Sequence, residues 1–476
     1  MQGAFWNAVA QYGSQVISLA SLVVLTRLLD PSDFGALSMS LLVISFLTIF
    51  CEAGLVSALI QKTDVTEDDR CVAFWGQWAI SFFMFLAVFA SAPLVATFFK
   101  DEQLVPVTRW LSILFLLMPL NAIPEALETK KIQYNVMAIA ELVSSAAGVG
   151  TSIVMAMCGM GLWSLVGHEL VKRSSRGVTL LVLCGWLPAL RFSRKSFVTL
   201  YHIGKQYTFK NLILYAAENV EGLLIGRMLG AAALGSYGIG YRVPSYPVMK
   251  TWNMFGPMLF PVFSLMERGS ERLKVNLLRV SWLGGYFLIP FIVMIFFGAE
   301  IIIDVVFGDK WMQVVPLVRI FCVDMAVTAV SFGDESMLMA LGRVTRINDW
   351  KIGFFVGVLV TGYLGIKFGG LVGITACFVF CSMVNSLAIK TLTFRAVGLK
   401  WSQFFAYMRQ VWIVSTVALA AHWVYAVFCR SLGPKAFVVG QLVLTGLIVA
   451  PYILHRRVLD FKARKLNLDR IVTLTL

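Results

Sequence analysis

The densest group of ionisable side chains lies inside an apolar stretch of the chain, at residues 161–187. Its members recur at helical spacing and would form one stripe of a helix: His168, Glu169, Lys172, Arg173 and Arg176. A charge near the centre of a bilayer costs roughly 2.5–3.5 kcal/mol, so these side chains would face water or one another. Glu169 can pair with Lys172 or Arg173, which leaves cations for an anionic ligand. The alternative is a stripe in the cytoplasmic headgroup region, where long side chains reach the surface.

Carboxylates inside other apolar stretches form a second group. The predicted ion-coupling residues among them are Glu218, Glu221, Asp324 and Glu335. Buried carboxylates can carry a proton or bind a cation, and Glu221 is the first candidate because a second acid lies three residues away. Asp324 and Glu335 are predicted to share one helical face. The alternative for any one carboxylate is a structural pair with a basic residue, whereas Glu141 and Glu52 are isolated in the sequence.

Further polar residues are predicted to line the same membrane cavity. Arg242 and Lys250 lie close to two prolines that would kink their helix. Gln11 and Asn211 belong to polar stripes on two different apolar stretches, and Lys210 precedes Asn211. The predicted substrate-binding residues are therefore Lys172, Arg173, Arg176, Lys210, Arg242, Lys250, Gln11 and Asn211.

The composition indicates a membrane protein. Of the 476 residues, 59% are hydrophobic and only 14% are charged, and the mean hydropathy is +0.80. A soluble chain averages about 45–50% apolar and about 25% charged residues, so a soluble enzyme, a disordered chain and a nucleic-acid-binding domain are excluded. The eight cysteines form no CxxC pair and are interpreted as reduced apolar residues. No catalytic, metal-binding or nucleotide-binding motif occurs, so the sequence predicts no enzyme, metal site or cofactor.

The apolar residues fall into fourteen segments, each near the roughly 20 residues that a membrane helix needs. The segments are 5–29, 36–60, 72–98, 107–127, 134–157, 161–187, 206–228, 234–264, 276–298, 314–341, 347–366, 370–393, 408–429 and 435–455. With a cytoplasmic N-terminus, the inner side carries 24 Lys and Arg and the outer side nine. This excess predicts cytoplasmic termini and accounts for most of the net charge of +14. No basic segment precedes the first apolar run, so no cleavable signal peptide is predicted.

Short sequence matches recur in order at an offset of about 200 residues. Residues 26–35 match 226–235, residues 105–109 match 315–319, and residues 161–162 match 370–371. Six spans per copy is an even number, so the copies form a parallel repeat with the substrate site between them. The predicted fold is an all-α polytopic membrane protein with about 14 transmembrane helices. Its predicted parts are a six-helix lobe at 1–190, a cytoplasmic linker at 191–205, a second six-helix lobe at 206–395, and helices 13 and 14 with a basic tail at 396–476.

Several motifs resemble one family of membrane transporters. They are TRLLDPSDFGALS, EAGLVSALIQKTDVTEDD, AFW at 73–75, GLWSLVG at 161–167, IGRMLGAAALGSYGIGYRV at 225–243 and MLFPVFS at 258–264. Across about residues 1–395 the chain resembles the polysaccharide transporter (Wzx-type) flippases of the multidrug/oligosaccharidyl-lipid/polysaccharide exporter superfamily, nearest to the colanic-acid exporter and lipopolysaccharide translocase branch. The family's acidic position in the seventh span falls on Glu221, and Glu218 stands where many members have a basic or neutral residue.

The resemblance implies a flippase that works by alternating access. Its substrate would be an undecaprenyl-pyrophosphate-linked oligosaccharide, moved from the cytoplasmic to the periplasmic leaflet for assembly of exopolysaccharide, capsule or O-antigen. The implied location is the bacterial cytoplasmic (inner) membrane. The expected partners are this lipid-linked oligosaccharide, membrane lipid, a proton or sodium counter-ion and the polysaccharide polymerase machinery, with no nucleic acid.

Three other functions stay open at this stage. A cation-coupled multidrug antiporter of the same superfamily would explain Glu218 and Glu221 but not the cations at 172–176. A membrane enzyme such as an O-antigen polymerase or ligase would need a larger outward loop than the sequence offers. A scaffold subunit of a polysaccharide assembly complex would show no transport when purified alone.

Overall fold

The computed structural model describes residues 2–51, 55–62, 64–131, 134–190, 193, 215, 219–429 and 433–454. All regular secondary structure within these ranges is helical, as predicted. The helices are α1 Gln2–Leu28, α2 Pro31–Cys51, α3 Leu55–Gln61, α4 Glu67–Phe99, α5 Leu104–Lys130, α6 Tyr134–Met157, α7 Leu162–Cys184, α8 at 219–229, α9 Ala231–Ser264, α10 Glu271–Val306, α11 Val315–Val330, α12 Asp334–Ala340, α13 Val344–Val397, α14 Trp401–Tyr407, α15 Arg409–Phe428 and α16 Pro434–Leu454.

Eight helical segments in the described part of the chain are long and apolar enough to cross a membrane. They are Pro31–Cys51, Glu67–Phe99, Leu104–Lys130, Asn135–Met157, Glu271–Val306, Asp309–Ala340, Trp350–Val397 and Arg409–Phe428. The protein is therefore a multi-pass membrane protein, while the total of 14 spans stays a prediction. The predicted segment 206–228 lies mostly outside the described residues.

The chain divides into two compact units, Met1–Gly235 and Ser236–Leu476. Of the predicted linker at 191–205, only Ser193 is described, so the lobe boundaries stay a prediction.

In the first unit, α6 packs against α1 and α7, and α5 packs against α4 and α7. Thr66 caps α4: its hydroxyl accepts a hydrogen bond from the backbone N–H of Asp69, whose carboxylate accepts from the N–H of Thr66. This reciprocal pair satisfies N–H groups that the first helical turn leaves without partners. The cap fixes where α4 begins.

Gly35 and Gly235 occupy equivalent positions of the sequence repeat and make equivalent contacts in the first unit. A Cβ atom on Gly35 would lie 1.7 Å from the carbonyl oxygen of Ala231, and one on Gly235 would lie 1.9 Å from that of Pro31. Any larger residue would force the two backbones apart. The repeat in the sequence is thus accompanied by a repeat in packing.

In the second unit, α10 packs against α11, α15 and α16, while α11 and α12 pack against α13. Two glycines interrupt its helices. Gly370 has φ of +56° within α13 and separates the segments predicted at 347–366 and 370–393. Gly333 has φ of +92° and separates α11 from α12. L-residues with side chains rarely adopt such angles, so both breaks depend on glycine.

Candidate functional site

Four charged side chains from three helices meet in the first unit. Nη1 of Arg176 on α7 lies 2.8 Å from Oε2 of Glu125 on α5, and its Nε lies 3.4 Å from Oε2 of Glu141 on α6. Nζ of Lys172 on α7 lies 3.5 Å from Oε1 of Glu141. All four side chains are partly exposed, Arg176 least. We call these residues, Glu125, Glu141, Lys172 and Arg176, the α5–α6–α7 cluster.

Close helix packing brings this cluster together. A Cβ on Gly177 would lie 3.1 Å from Nδ2 of Asn121, so the absence of a side chain lets α7 approach α5. Asn121 then donates a hydrogen bond from Nδ2 to the backbone carbonyl of Arg173, at 3.1 Å. On the other side of α7, a Cβ on Gly148 of α6 would lie 2.9 Å from Cβ of Lys172. Small residues and interhelical hydrogen bonds are typical of membrane helix packing.

The cluster corrects two expectations from the sequence. Lys172 pairs with Glu141 and not with Glu169, and Glu141 is not isolated. The reason is that α6 lies alongside α7, so a carboxylate of the neighbouring helix reaches the cation. Arg173 is exposed and lies about 100° around the helix from Lys172, so it stands apart from the cluster. No ion pair among the described residues contains Arg173 or Glu169.

Glu125 was missed by sequence reasoning, although a signal for it exists. The offset of 210 that aligns Arg109 with Arg319 also aligns Glu125 with Glu335. Of these two residues, only Glu335 was predicted as a membrane carboxylate. Applying the repeat to each acidic residue would have found its counterpart.

The second unit pairs the same two repeat positions in a different way. Oε1 of Glu335 lies 3.6 Å from Nζ of Lys351. At the offset of 210, Glu335 aligns with Glu125 and Lys351 aligns with Glu141, so one acid has become a base. At the neighbouring offset of 209, Asn385 stands in the place of Arg176. The first unit thus joins two acids through an arginine, where the second joins an acid directly to a base.

A buried ion pair lies close to Glu335 and was also missed. Nζ of Lys390 on α13 lies 2.9 Å from Oδ2 of Asp334 on α12, and the two side chains are only 5% and 2% exposed. The ammonium also donates to the carbonyl oxygen of Val330, at 2.9 Å, and lies over the rings of Phe394 and Phe404. These contacts replace the water that the ammonium loses on burial.

Asp324 and Glu335 do not share a continuous helical face, contrary to the sequence prediction. The helix ends at Val330, and Gly333 redirects the chain before Glu335. Asp324 is buried and belongs to no ion pair among the described residues, whereas Glu335 pairs with Lys351. The two carboxylates therefore belong to different environments.

The other predicted site residues are only partly described. Glu221 is half-buried on α8, Arg242 is exposed on α9, and Lys250 lies over the ring of Tyr246 at 5.3 Å. Gln11 lies in α1, but its side chain is outside the described residues, as are Lys210, Asn211 and Glu218 entirely. The substrate-binding and ion-coupling roles of all these residues stay predictions.

A profile of the family described as "Polysaccharide biosynthesis protein" matches residues 24–316, more than half of the chain. The chain belongs to this polysaccharide biosynthesis family. This chain is 25% identical to one curated relative, the lipopolysaccharide biosynthesis protein WzxC of Escherichia coli (strain K12), over 81% of this chain and 79% of that protein.

The fold of this polysaccharide biosynthesis protein also resembles solved transporter structures. The lipid II flippase MurJ, in an inward closed conformation, matches with a TM-score of 0.70 and 11% identity, over 95% of this chain and 99% of MurJ. An inward-facing multidrug resistance MATE family transporter of the MOP superfamily matches with a TM-score of 0.61 and 14% identity, over 81% and 94% of the two chains. At these identities the likeness establishes the fold alone.

Proposed function

We propose that this protein is a flippase for lipid-linked oligosaccharides. It moves an undecaprenyl-pyrophosphate-linked repeat unit from the cytoplasmic to the periplasmic leaflet, by alternating access between two lobes. Membership of the polysaccharide biosynthesis family, together with a flippase-like fold, carries the proposal. The membrane is the bacterial inner membrane, with both termini cytoplasmic, as the Lys and Arg distribution favours.

The α5–α6–α7 cluster is the proposed binding site for the pyrophosphate. Its two cations and two carboxylates balance, so the cluster offers an anion no net attraction at rest. The contacts to Glu141 are the long ones, at 3.4 and 3.5 Å, whereas Arg176 contacts Glu125 at 2.8 Å. The incoming pyrophosphate therefore replaces Glu141 at Lys172 and Arg176, while Glu125 continues to orient the guanidinium. Charge-assisted hydrogen bonds to phosphate favour this exchange.

Outward movement of an anion gains about 2.3 kcal/mol per charge per 100 mV of inside-negative potential. Inward return of a proton or sodium ion would add to this drive and reset the carrier. Glu221, Asp324 and Glu335 are the proposed coupling residues in the described part of the chain, with Glu218 as a further candidate beyond it. Asp324 has the strongest structural support, because it is buried and no base among the described residues pairs with it.

Transport in reconstituted liposomes tests the proposal. The purified protein should move a fluorescent undecaprenyl-pyrophosphate oligosaccharide between leaflets, faster with an inside-negative potential. Protein-free liposomes and liposomes with the Arg176→Glu variant serve as controls. If the oligosaccharide moves no faster than in protein-free liposomes, the flippase function is refuted. The alternative of a scaffold subunit in a polysaccharide assembly complex would then remain.

A second candidate function is that of a cation-coupled multidrug antiporter, because the fold also resembles that of a multidrug transporter. The same liposomes can be loaded with a cationic dye under a proton or sodium gradient. Dye export without oligosaccharide movement would favour that candidate.

A further inference from the structure

Five aromatic rings form an unbroken row along α4. The rings are those of Trp75, Trp78, Phe82, Phe85 and Phe89. Successive centroids are 5.4–6.3 Å apart, and Trp78 and Phe82 are stacked, with an interplanar angle of 10°. Residues 75–89 extend over about 21 Å of helix, which exceeds half of the roughly 30 Å hydrocarbon core. We call these rings the aromatic row.

The aromatic row lies on the surface of the first unit. Trp78, Phe82 and Phe89 are 37%, 36% and 43% exposed. At the end of the row, the guanidinium carbon of Arg109 lies over the Phe89 ring, 5.0 Å from its centroid. Within the described residues, Arg109 forms no ion pair with a carboxylate. The exposed aromatic row therefore ends at the guanidinium of Arg109.

The helix α10 of the second unit is the counterpart of α4. Both begin at a capped glutamate, Glu67 after Thr66 and Glu271 after Ser270, which sets the offset between them at 204 residues. At this offset the stacked pair Trp78 and Phe82 aligns with Trp282 and Tyr286, which are also stacked, at 4.8 Å. The two helices thus carry the same aromatic pair in the same register.

The two faces differ in what covers them. The counterparts of Trp78, Phe82, Phe85 and Phe89 on α10 are all buried: Trp282, Tyr286, Ile289 and Val293. Of the helices that pack on α10, α15 and α16 follow the predicted second repeat and have no counterpart in the first unit. Among the described residues of the first unit no helix supplies such cover, so the face is open to another apolar occupant.

We infer that the aromatic row binds the polyprenyl chain of the lipid-linked substrate, with Arg109 at the lipid's phosphate end once the pyrophosphate has left the α5–α6–α7 cluster. Arg109 and Glu125 are 16 residues apart on α5, about 24 Å along the helix, so the phosphate occupies the two positions in turn. Two differences from the second unit favour a lipid chain over a partner helix. Where helices cover the face, aliphatic Ile289 and Val293 stand in place of Phe85 and Phe89. Arg319, the counterpart of Arg109, contacts Glu300 at 2.9 Å, whereas the side chain of Arg109 contacts only the ring of Phe89 among the described residues.

The chemistry suits such a ligand. A polyprenyl chain is a long, unsaturated hydrocarbon, and a row of flat rings offers it contact area along its length. The exposed guanidinium can form two parallel hydrogen bonds to a phosphate. The inference rests on the proposed function, since it assumes a polyprenyl-linked substrate, and it places the lipid part outside the polar cluster on α5, α6 and α7.

Binding of undecaprenyl phosphate to the full-length protein in nanodiscs tests the inference. The triple variant Phe82→Leu, Phe85→Leu and Phe89→Leu should bind at least tenfold more weakly than the wild type. The control is Phe368→Leu, Phe380→Leu and Phe428→Leu, which removes three rings of the second unit that are more exposed than those of the row and should bind as the wild type does. Arg109→Gln should weaken binding of the phosphate but not of the uncharged polyprenol.

Equal affinity of the two triple variants would overturn the assignment. Evidence that a second copy of this chain occupies the surface would also overturn it. That evidence would be a disulfide-linked dimer of the Phe83→Cys variant which no longer forms when the row substitutions are added. Transport by the wild type is measured in parallel. If the wild type transports while the row variants bind normally, the inference fails and the flippase function stands; absence of transport by the wild type refutes the flippase function itself.

Discussion

The guanidinium of Arg176 on α7 lies 2.8 Å from the carboxylate of Glu125 on α5, in the first unit. The two residues are 51 positions apart in the sequence and meet because Gly177 and Asn121 allow their helices to approach closely. Arg176 therefore has a structural role as well as its proposed role in anion binding, and the predictions for it must separate the two.

A double-mutant cycle of Glu125→Gln and Arg176→Gln measures the structural role. We expect each single variant to lower thermal stability in detergent, and the two effects to be non-additive by about 0.5–3 kcal/mol, as for residues in direct contact. Arg173→Gln is the control and should change stability little, because Arg173 is exposed and outside the cluster. Additive effects would contradict the ion pair.

Arg176→Glu should abolish transport more completely than Arg176→Gln. Glutamate repels the pyrophosphate and also adds a third carboxylate beside Glu125 and Glu141, whereas glutamine removes only the attraction. Transport rates in liposomes, normalised to folded protein, give the comparison. Equal rates for the two variants would favour a stripe in the headgroup region instead of a substrate site.

Glu141→Gln should strengthen binding of an anionic lipid and slow its release. The substitution removes the carboxylate that lies 3.5 Å from Lys172, so the ammonium is no longer compensated. Binding of undecaprenyl pyrophosphate should become several-fold tighter, with slower turnover in liposomes. Glu169→Gln is the matched control because Glu169 is in the same region but belongs to no described ion pair. If the Glu141→Gln variant bound undecaprenyl pyrophosphate with wild-type affinity, the pyrophosphate would not replace Glu141 at Lys172 and Arg176.

The buried pair of Asp334 and Lys390 should be essential for stability and not for ion coupling. Removing one partner alone, in Asp334→Asn or Lys390→Met, leaves an unbalanced buried group and should cost about 3–5 kcal/mol. The double variant Asp334→Leu with Lys390→Met should recover much of that loss. Lys351→Met removes the partner of Glu335 and should cost much less, because the Lys351 side chain is 24% exposed and that of Lys390 only 5%. Thermal unfolding in detergent provides the comparison.

Glu221→Gln tests the proposed coupling role of the residue that the family resemblance singles out. We expect substrate binding to persist while transport loses its response to a proton or sodium gradient. The neutral amide of glutamine can neither take up a proton nor supply the negative charge that would bind a sodium ion. Glu102→Gln, an exposed position outside the predicted segments, is the control. A wild-type response to a collapsed gradient would make Glu221 structural, and Asp324 would then be tested next.

The fold class and the family could both be predicted from the amino-acid sequence. Long apolar segments can satisfy their backbone hydrogen bonds in a bilayer only as helices, so their positions follow from composition along the chain. The match of residues 26–35 with 226–235 likewise reflects a local requirement, since Gly35 and Gly235 each lie against a backbone carbonyl.

The tertiary structure alone decided which charges meet and which faces are covered. Arg176 could have paired with any nearby acid, and the helices packed beside α7 select Glu125 and Glu141 over the local Glu169. One glycine at 333 was enough to separate Asp324 from Glu335, which a helical period had placed on one face. The rings on α4 and α10 share a pattern, yet the α10 rings are buried and most of the α4 rings are exposed. Two helices that pack on α10, α15 and α16, have no counterpart in the first unit. Pairing and burial depend on which helices pack side by side, and periodicity within a single helix does not contain that information.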